Sequence, residues 1–127
     1  MKGACITLYA ISCTRFEAAR AVEILKGDGI KCNLVNILWL KPFTVTKRLA
    51  EPLLDSGTGL VIDPGHEIAG AARSIAYELS QATGCKVAAL GLKDSTKCMC
   101  GSLRNSSPDA GDICSAVKKI LARKGNK

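Results

Sequence analysis

Residues 38–43 read Leu38-Trp39-Leu40-Lys41-Pro42-Phe43, and what stands on either side of them decides the fold. Upstream, Leu34, Val35, Ile37 and Leu38 form an apolar, partly β-branched run of strand length. Lys41-Pro42 interrupts it as a turn, because proline fixes its own φ and restricts the residue before it. A helix-period pattern then opens at Thr44 and puts Val45, Leu49 and Leu53 on one face. Pro52 falls inside that pattern and is expected to kink the helix or end it early.

The same alternation extends outward in both directions. Cys5 to Ile11 reads as a strand, and Thr14 is placed to cap a helix whose Ala18, Ala21, Val22 and Leu25 follow helical spacing. Gly27-Asp28-Gly29 ends that helix, and Ile30 to Leu38 forms the second strand. Gly59 to Asp63 is a short, fully apolar third strand. Ile68, Ala71, Ala72, Ile75, Ala76 and Leu79 then make an amphipathic stripe. Cys85 to Leu90 reads as a fourth strand and Gly91 to Ser107 as a polar loop. Ser107 is the expected cap of a last helix, with Pro108 at its first position and Ile113, Val117, Ile120 and Leu121 facing inward. Strands alternating with helices imply a mainly parallel sheet covered on both faces, a three-layer α/β/α domain. At 127 residues the chain reads as one domain, 1–127.

Composition narrows the class of function. Hydrophobic residues make up 47% and charged residues 23%, so the chain can bury a core, built of aliphatics because aromatics are only 4%. No apolar run reaches the length of a membrane span. Lys2 and the run Ala4 to Ile11 before Ser12-Cys13 faintly mimic a lipoprotein signal, but Thr7 and Tyr9 interrupt the run, which reads as the first strand. Seven cysteines in an aliphatic-rich chain do not fit a secreted disulfide scaffold. Cys5, Cys32, Cys85 and Cys114 sit in apolar patterns as small buried hydrophobes, which points to a reducing, cytoplasmic setting. The formal charge is +7, and from Lys86 onward nine Lys and Arg stand against three Asp. With no interleaved aromatics to stack on bases, that charge reads as the solvated face of the last helix rather than a nucleic-acid site.

An ordered set of residues carries a family resemblance from Thr7 to Leu121: Glu17-Ala18 with Ala21, Gly29-Ile30, Leu40-Lys41-Pro42, Val61-Ile62, Gly65-His66 and the Ser-Pro start of the last helix. In this set the chain resembles the C-terminal domain of the transketolase family, which includes transketolase, deoxyxylulose-phosphate synthase and the beta subunits of 2-oxo acid dehydrogenases. The resemblance implies the strand order 2-1-3-4. It also implies that the chain is a C-terminal module or small subunit of a split thiamine diphosphate-dependent enzyme. Such a module would serve assembly, be catalytically silent alone, and work beside a subunit carrying the cofactor-binding domains. Thiamine diphosphate and magnesium would be bound by the assembled enzyme and not by this chain. Three positions depart from the family pattern: Ser12 in place of a glycine, Asp63-Pro64 in place of paired glutamates, and Pro52 within the second helix.

Gly27-Asp28-Gly29 imitates the opening of the family's thiamine diphosphate motif. No Asn-Asn pair follows anywhere in the chain, and the triplet falls between a helix and a strand, where glycine supplies a left-handed cap. It is read as a turn.

The order 2-1-3-4 puts a topological switch point between Ser12-Cys13-Thr14 and Asp63-Pro64-Gly65-His66, where open parallel sheets bind ligands. The candidate ligand or interface residues are therefore Ser12, Cys13, Thr14, Asp63, Gly65, His66 and Glu67. His66, the only histidine, is expected at the mouth of that crevice with Ser12 and Cys13 near its floor. Arg73 and Glu67 flank one helix start and could pair. Two other readings stay open. One is a stand-alone small-ligand or anion-binding module using the switch-point crevice, with Thr14 and the helix N-terminus behind it as the site. The other is a small enzyme with Cys13 as nucleophile and His66 as base. Cys98 and Cys100 lack the spacing and second pair of a zinc ribbon, so no metal site is assigned.

In the resembled family an antiparallel strand precedes the first parallel strand and pairs beside the second. Only Met1 to Ala4 stand before the first strand here. Lys31 to Ile37 is therefore expected to be an open sheet edge, covered by a strand from a partner chain or by self-association across a two-fold axis.

Overall fold

A computed structural model describes residues 3–95 and 106–125. Four strands and four helices alternate along the chain: β1 (Ile6–Ile11), α1 (Thr14–Gly27), β2 (Cys32–Ile37), α2 (Lys47–Ser56), β3 (Thr58–His66), α3 (Ala71–Thr83), β4 (Lys86–Leu92) and α4 (Ala110–Gly125). The strands form one parallel sheet in the order β2-β1-β3-β4, as expected from the sequence. Both faces are covered. Ile6, Leu8 and Ala10 of β1 pack with α1 and α4 through Ala18, Leu25, Ile113 and Val117. Tyr9 and Ile11 face the other way and pack with α2 and α3 through Leu53, Ile75 and Leu79. Every residue of β1 is buried, consistent with a central strand covered on both faces.

Helix boundaries are where local sequence signals fall short. Thr14 is not a cap. It is the first residue of α1, buried, with Cys13 at the capping position. Ser107 does not cap α4 either. Asp109 does so, accepting from the Asp112 N–H at 2.8 Å while its own N–H reaches the Asp112 carboxylate at 3.3 Å, a reciprocal box. A second carboxylate serves the same helix from far away in the chain, because Glu17 accepts from the Ala110 N–H at 3.1 Å. The second helix begins at Lys47 rather than Thr44. Ile68 lies before α3 and is exposed, since Ala69 takes a φ of +59° that no helix continues through.

Pro52 does not end α2. The helix runs on to Ser56, and the Pro52 carbonyl accepts from Thr7 Oγ1 at 2.7 Å and Asn33 Nδ2 at 3.3 Å. Ser56 Oγ lies 2.9 Å from the same threonine hydroxyl and 3.0 Å from the Thr58 carbonyl. This buried polar seam fastens α2 to β1 and β2. Among the described residues no helix is long and apolar enough to cross a membrane. Cys98 and Cys100 lie outside the described residues.

Candidate functional site at the carboxyl edge of the sheet

Parallel pairing sets Ala10 beside Ile62, so the chain leaves β1 and turns at β3 on the same edge of the sheet. The two turns there are built differently. After Ile11 the chain reverses sharply at Ser12, which holds a φ of +54° that glycine would adopt more easily. Ser12 and Cys13 are both exposed, so they stand on the rim of the switch point rather than on its floor. The floor is Thr14. Its Oγ1 lies 2.7 Å from the Ile11 carbonyl and 3.1 Å from the Ile62 carbonyl, and its one proton serves these two acceptors. The hydroxyl thus bridges β1 and β3 beneath the turn, and an anion at this helix start would meet main-chain N–H groups rather than the threonine proton.

The turn at β3 is a bulge. Ile62 pairs with Leu90 and His66 with Leu92, so four steps on β3 match two on β4, and Asp63-Pro64-Gly65 is pushed out of the ladder. Proline suits this place because it has no N–H to give to the ladder. Asp63 is buried and uses both carboxylate oxygens on the main chain: Oδ1 accepts from the Gly65 N–H at 2.8 Å and Oδ2 from the Ala72 N–H at 3.0 Å. The first bond shapes the bulge and the second caps α3, whose own Gly70 has no side chain to do so. Glycine is required at 70, since a Cβ there would overlap the His66 carbonyl oxygen. A Cβ on Gly91 would come within 2.7 Å of the Gly65 carbonyl oxygen, so β4 also packs hard against the bulge.

His66 is exposed at the end of this bulge, in register with Leu92 of β4. Glu67 donates its N–H to the Leu92 carbonyl at 3.0 Å, and its carboxylate meets Arg73 at 3.2 Å, the pair anticipated from sequence. The segment before α4 crosses the same turn, where Ser107 Oγ donates to the Pro64 carbonyl at 3.1 Å.

Sequence reasoning passed over Glu17 and Asp109 as positioning residues. The Asp109-x-x-Asp112 spacing was a readable signal, whereas the long-range bond of Glu17 leaves none in a local window.

The residues at Gly27-Asp28-Gly29 do not fit thiamine diphosphate and magnesium. The Asp28 carboxylate is held by Lys118 at 2.9 Å, the Asp28 N–H closes the end of α1 onto the Ile24 carbonyl, and Gly29 takes a φ of +78°. Hydrogen bonding to Asp28 raises the Lys118 pKa, as an ion pair does. Among the described residues no group of three or more His, Cys, Asp or Glu side chains is placed to hold a metal ion.

With its sheet order and two covered faces, the chain has the fold of a transketolase C-terminal domain. It is similar to a split-gene transketolase, described as an inactive beta4 tetramer, at a TM-score of 0.76 and 24% identity; the match covers 95% of this chain and 39% of that one. Transketolase from Campylobacter jejuni matches at a TM-score of 0.50 and 18% identity, over 100% of this chain and 17% of that one. The alpha chain of a probable 2-oxoacid ferredoxin oxidoreductase from Thermoplasma acidophilum matches at 0.47 and 24% identity, over 96% and 92%. The chain therefore spans well under half the length of the two transketolase structures. No protein-family model matches it, and no curated protein matches it by sequence.

Proposed function

We propose that this chain is the C-terminal module or small subunit of a split thiamine diphosphate-dependent enzyme of the transketolase or 2-oxo acid dehydrogenase type, acting in assembly and catalytically silent alone. The observation that carries the reading is the likeness over 95% of the chain to a transketolase whose gene is split. The match covers only 39% of that protein's chain.

In this reading domains of a partner chain would hold the cofactor, which when bound would supply the carbon–carbon bond chemistry. The present chain would supply the carboxyl edge of its sheet. Ser12, Cys13, Gly65, His66 and Glu67 would border the substrate entrance or the partner, while Thr14 and Asp63 hold the turns beneath them. The test is reconstitution with a purified chain that carries a Gly-Asp-Gly motif with a downstream Asn-Asn pair. Turnover of a ketose phosphate or a 2-oxo acid, with thiamine diphosphate and magnesium present, should need both chains. Turnover by the present chain alone would overturn the proposal.

A further inference from the structure

At the amino edge of the sheet, across from the candidate site, two helices stop in the same way and leave a cleft beside a third. α2 ends at Ser56 and α3 at Thr83, and each is followed by a glycine in the left-handed region, Gly57 at a φ of +70° and Gly84 at +71°. β3 and β4 then start in register, with Thr58 beside Lys86 and Leu60 beside Ala88, so the two turns stand side by side. The last turn of α4 reaches them, where Lys124 Nζ donates to the Ser56 carbonyl at 2.8 Å. Between that turn and the start of β4 lies a cleft of about 580 Å³, within the range of about 300–1,000 Å³ usual for small-molecule sites. Its apolar lining includes Val87, Ala88 and Ile120, all half-buried, and its cations are Lys86, Arg123 and Lys124, all exposed. Among the described residues no carboxylate side chain lines it.

Cations are expected where helices end, because each carbonyl end carries roughly half a negative charge. α2, α3 and α4 all end here, roughly one and a half charges together, and Arg123 with Lys124 alone exceeds that sum. The basic residues of α4 also differ in what they meet. Lys118 is held by Asp28, whereas neither Arg123 nor Lys124 is in an ion pair among the described residues. We infer that this cleft binds a small amphipathic anion, an unbranched alkyl chain ending in a carboxylate or a phosphate, with its head at Arg123 and Lys124 and its tail along Val87, Ala88 and Ile120. An ammonium has three donors and Ser56 takes one, so Lys124 is held at the mouth with donors left for the head. The guanidinium of Arg123 matches a carboxylate or phosphate in its fork geometry, and each methylene of the tail that leaves water adds affinity. A bare inorganic anion would not use the apolar lining, and a neutral chain would not use the cations. The inference goes beyond the function proposed above, since it concerns the opposite edge of the sheet and holds whichever enzyme the chain serves.

The probes are octanoate, octyl phosphate, octylamine and acetate, each titrated below its micelle-forming concentration into the isotope-labelled chain and followed by amide NMR. Octanoate or octyl phosphate should shift the amides of Gly57, Gly84, Ala88 and Arg123 saturably, and the tighter of the two identifies the head group. Octylamine and acetate should each bind at least tenfold more weakly. Arg123→Glu, a change at an exposed position, should weaken the preferred anion at least fivefold with the urea midpoint unchanged. The comparison of anion with amine on the unaltered chain needs no variant to fold. The absence of a saturable shift would overturn the inference, as would equal binding of octylamine, acetate as tight as octanoate, or an Arg123→Glu chain that binds as well as the original. Shifts centred on the exposed Leu38 and Trp39 would overturn it too, by placing the tail elsewhere. So would binding to phosphatidylglycerol vesicles without saturable binding of either free anion, which would make a lipid surface the occupant.

Discussion

At the carboxyl edge of the sheet the buried polar side chains are taken up by the fold itself, whereas on the β2 flank apolar side chains are left to solvent. Asp63 holds two main-chain N–H groups, Thr14 serves two carbonyls, Glu67 meets Arg73 and Glu17 caps α4. Leu38 and Trp39 bury little against their own chain. In an α/β domain the carboxyl edge is where chemistry is normally placed. Here Asp63 and Thr14 are committed to main-chain partners, and large apolar side chains stand exposed on the flank.

The comparison breaks first at Asp63. Asp63→Ala leaves two N–H groups without their acceptor and α3 without its cap, and should lower stability by about 2–3 kcal/mol in urea denaturation. An unchanged midpoint would mean that the carboxylate is not needed by the fold and is free for chemistry.

A second test separates the inner side of β2 from its outer flank. Burial, with the neighbouring Cys5 and Cys114 adding to it, pushes the Cys32 thiol from 9.0 up to about 11. An acid whose pKa is raised on folding contributes its stability fully below the unfolded value and loses it as pH climbs through the folded one. Stability should therefore fall between pH 9 and about 11, with a slope from this group of at most about 1.4 kcal/mol per pH unit. Cys32→Ala should flatten that slope. A thiol at Cys32 that alkylates as fast at pH 8 as the exposed Cys13 would show that the inner side is open too.

The smallest stability effect is expected on the flank. Leu38→Ala and Trp39→Ala should each change folding stability by no more than about 0.5 kcal/mol, because these side chains bury little within the chain. A loss of several kcal/mol on thermal or urea unfolding would place them in the core and erase the contrast.

Much of the fold was legible because its signals are local. Alternating apolar runs, the glycine turn at 27–29 and the stripe from Ala72 to Leu79 each follow from spacing within one element. The strand order 2-1-3-4 followed from family resemblance, which integrates weak markers over the whole chain. Capping was less legible, because hydroxyl residues compete for several acceptors at once. Thr14 has the right spacing for a cap, yet β3 offers it the Ile62 carbonyl, 48 positions away in sequence. Ile68 fits the periodicity of α3, but the bulge at Asp63-Pro64-Gly65 and the positive φ of Ala69 delay the helix to Ala71. At the candidate site, sequence alone brought Ser12, Cys13, His66 and Glu67 to one edge. It could not show that Thr14 and Asp63 would be used beneath that edge, since their partners are main-chain groups of other elements.

The central claim, a module that does not carry the cofactor chemistry itself, is tested most directly by calorimetric titration of the isolated chain with thiamine diphosphate in the presence of magnesium. The account predicts no saturable heat. Saturable binding near micromolar, worth about −8 kcal/mol, would contradict it.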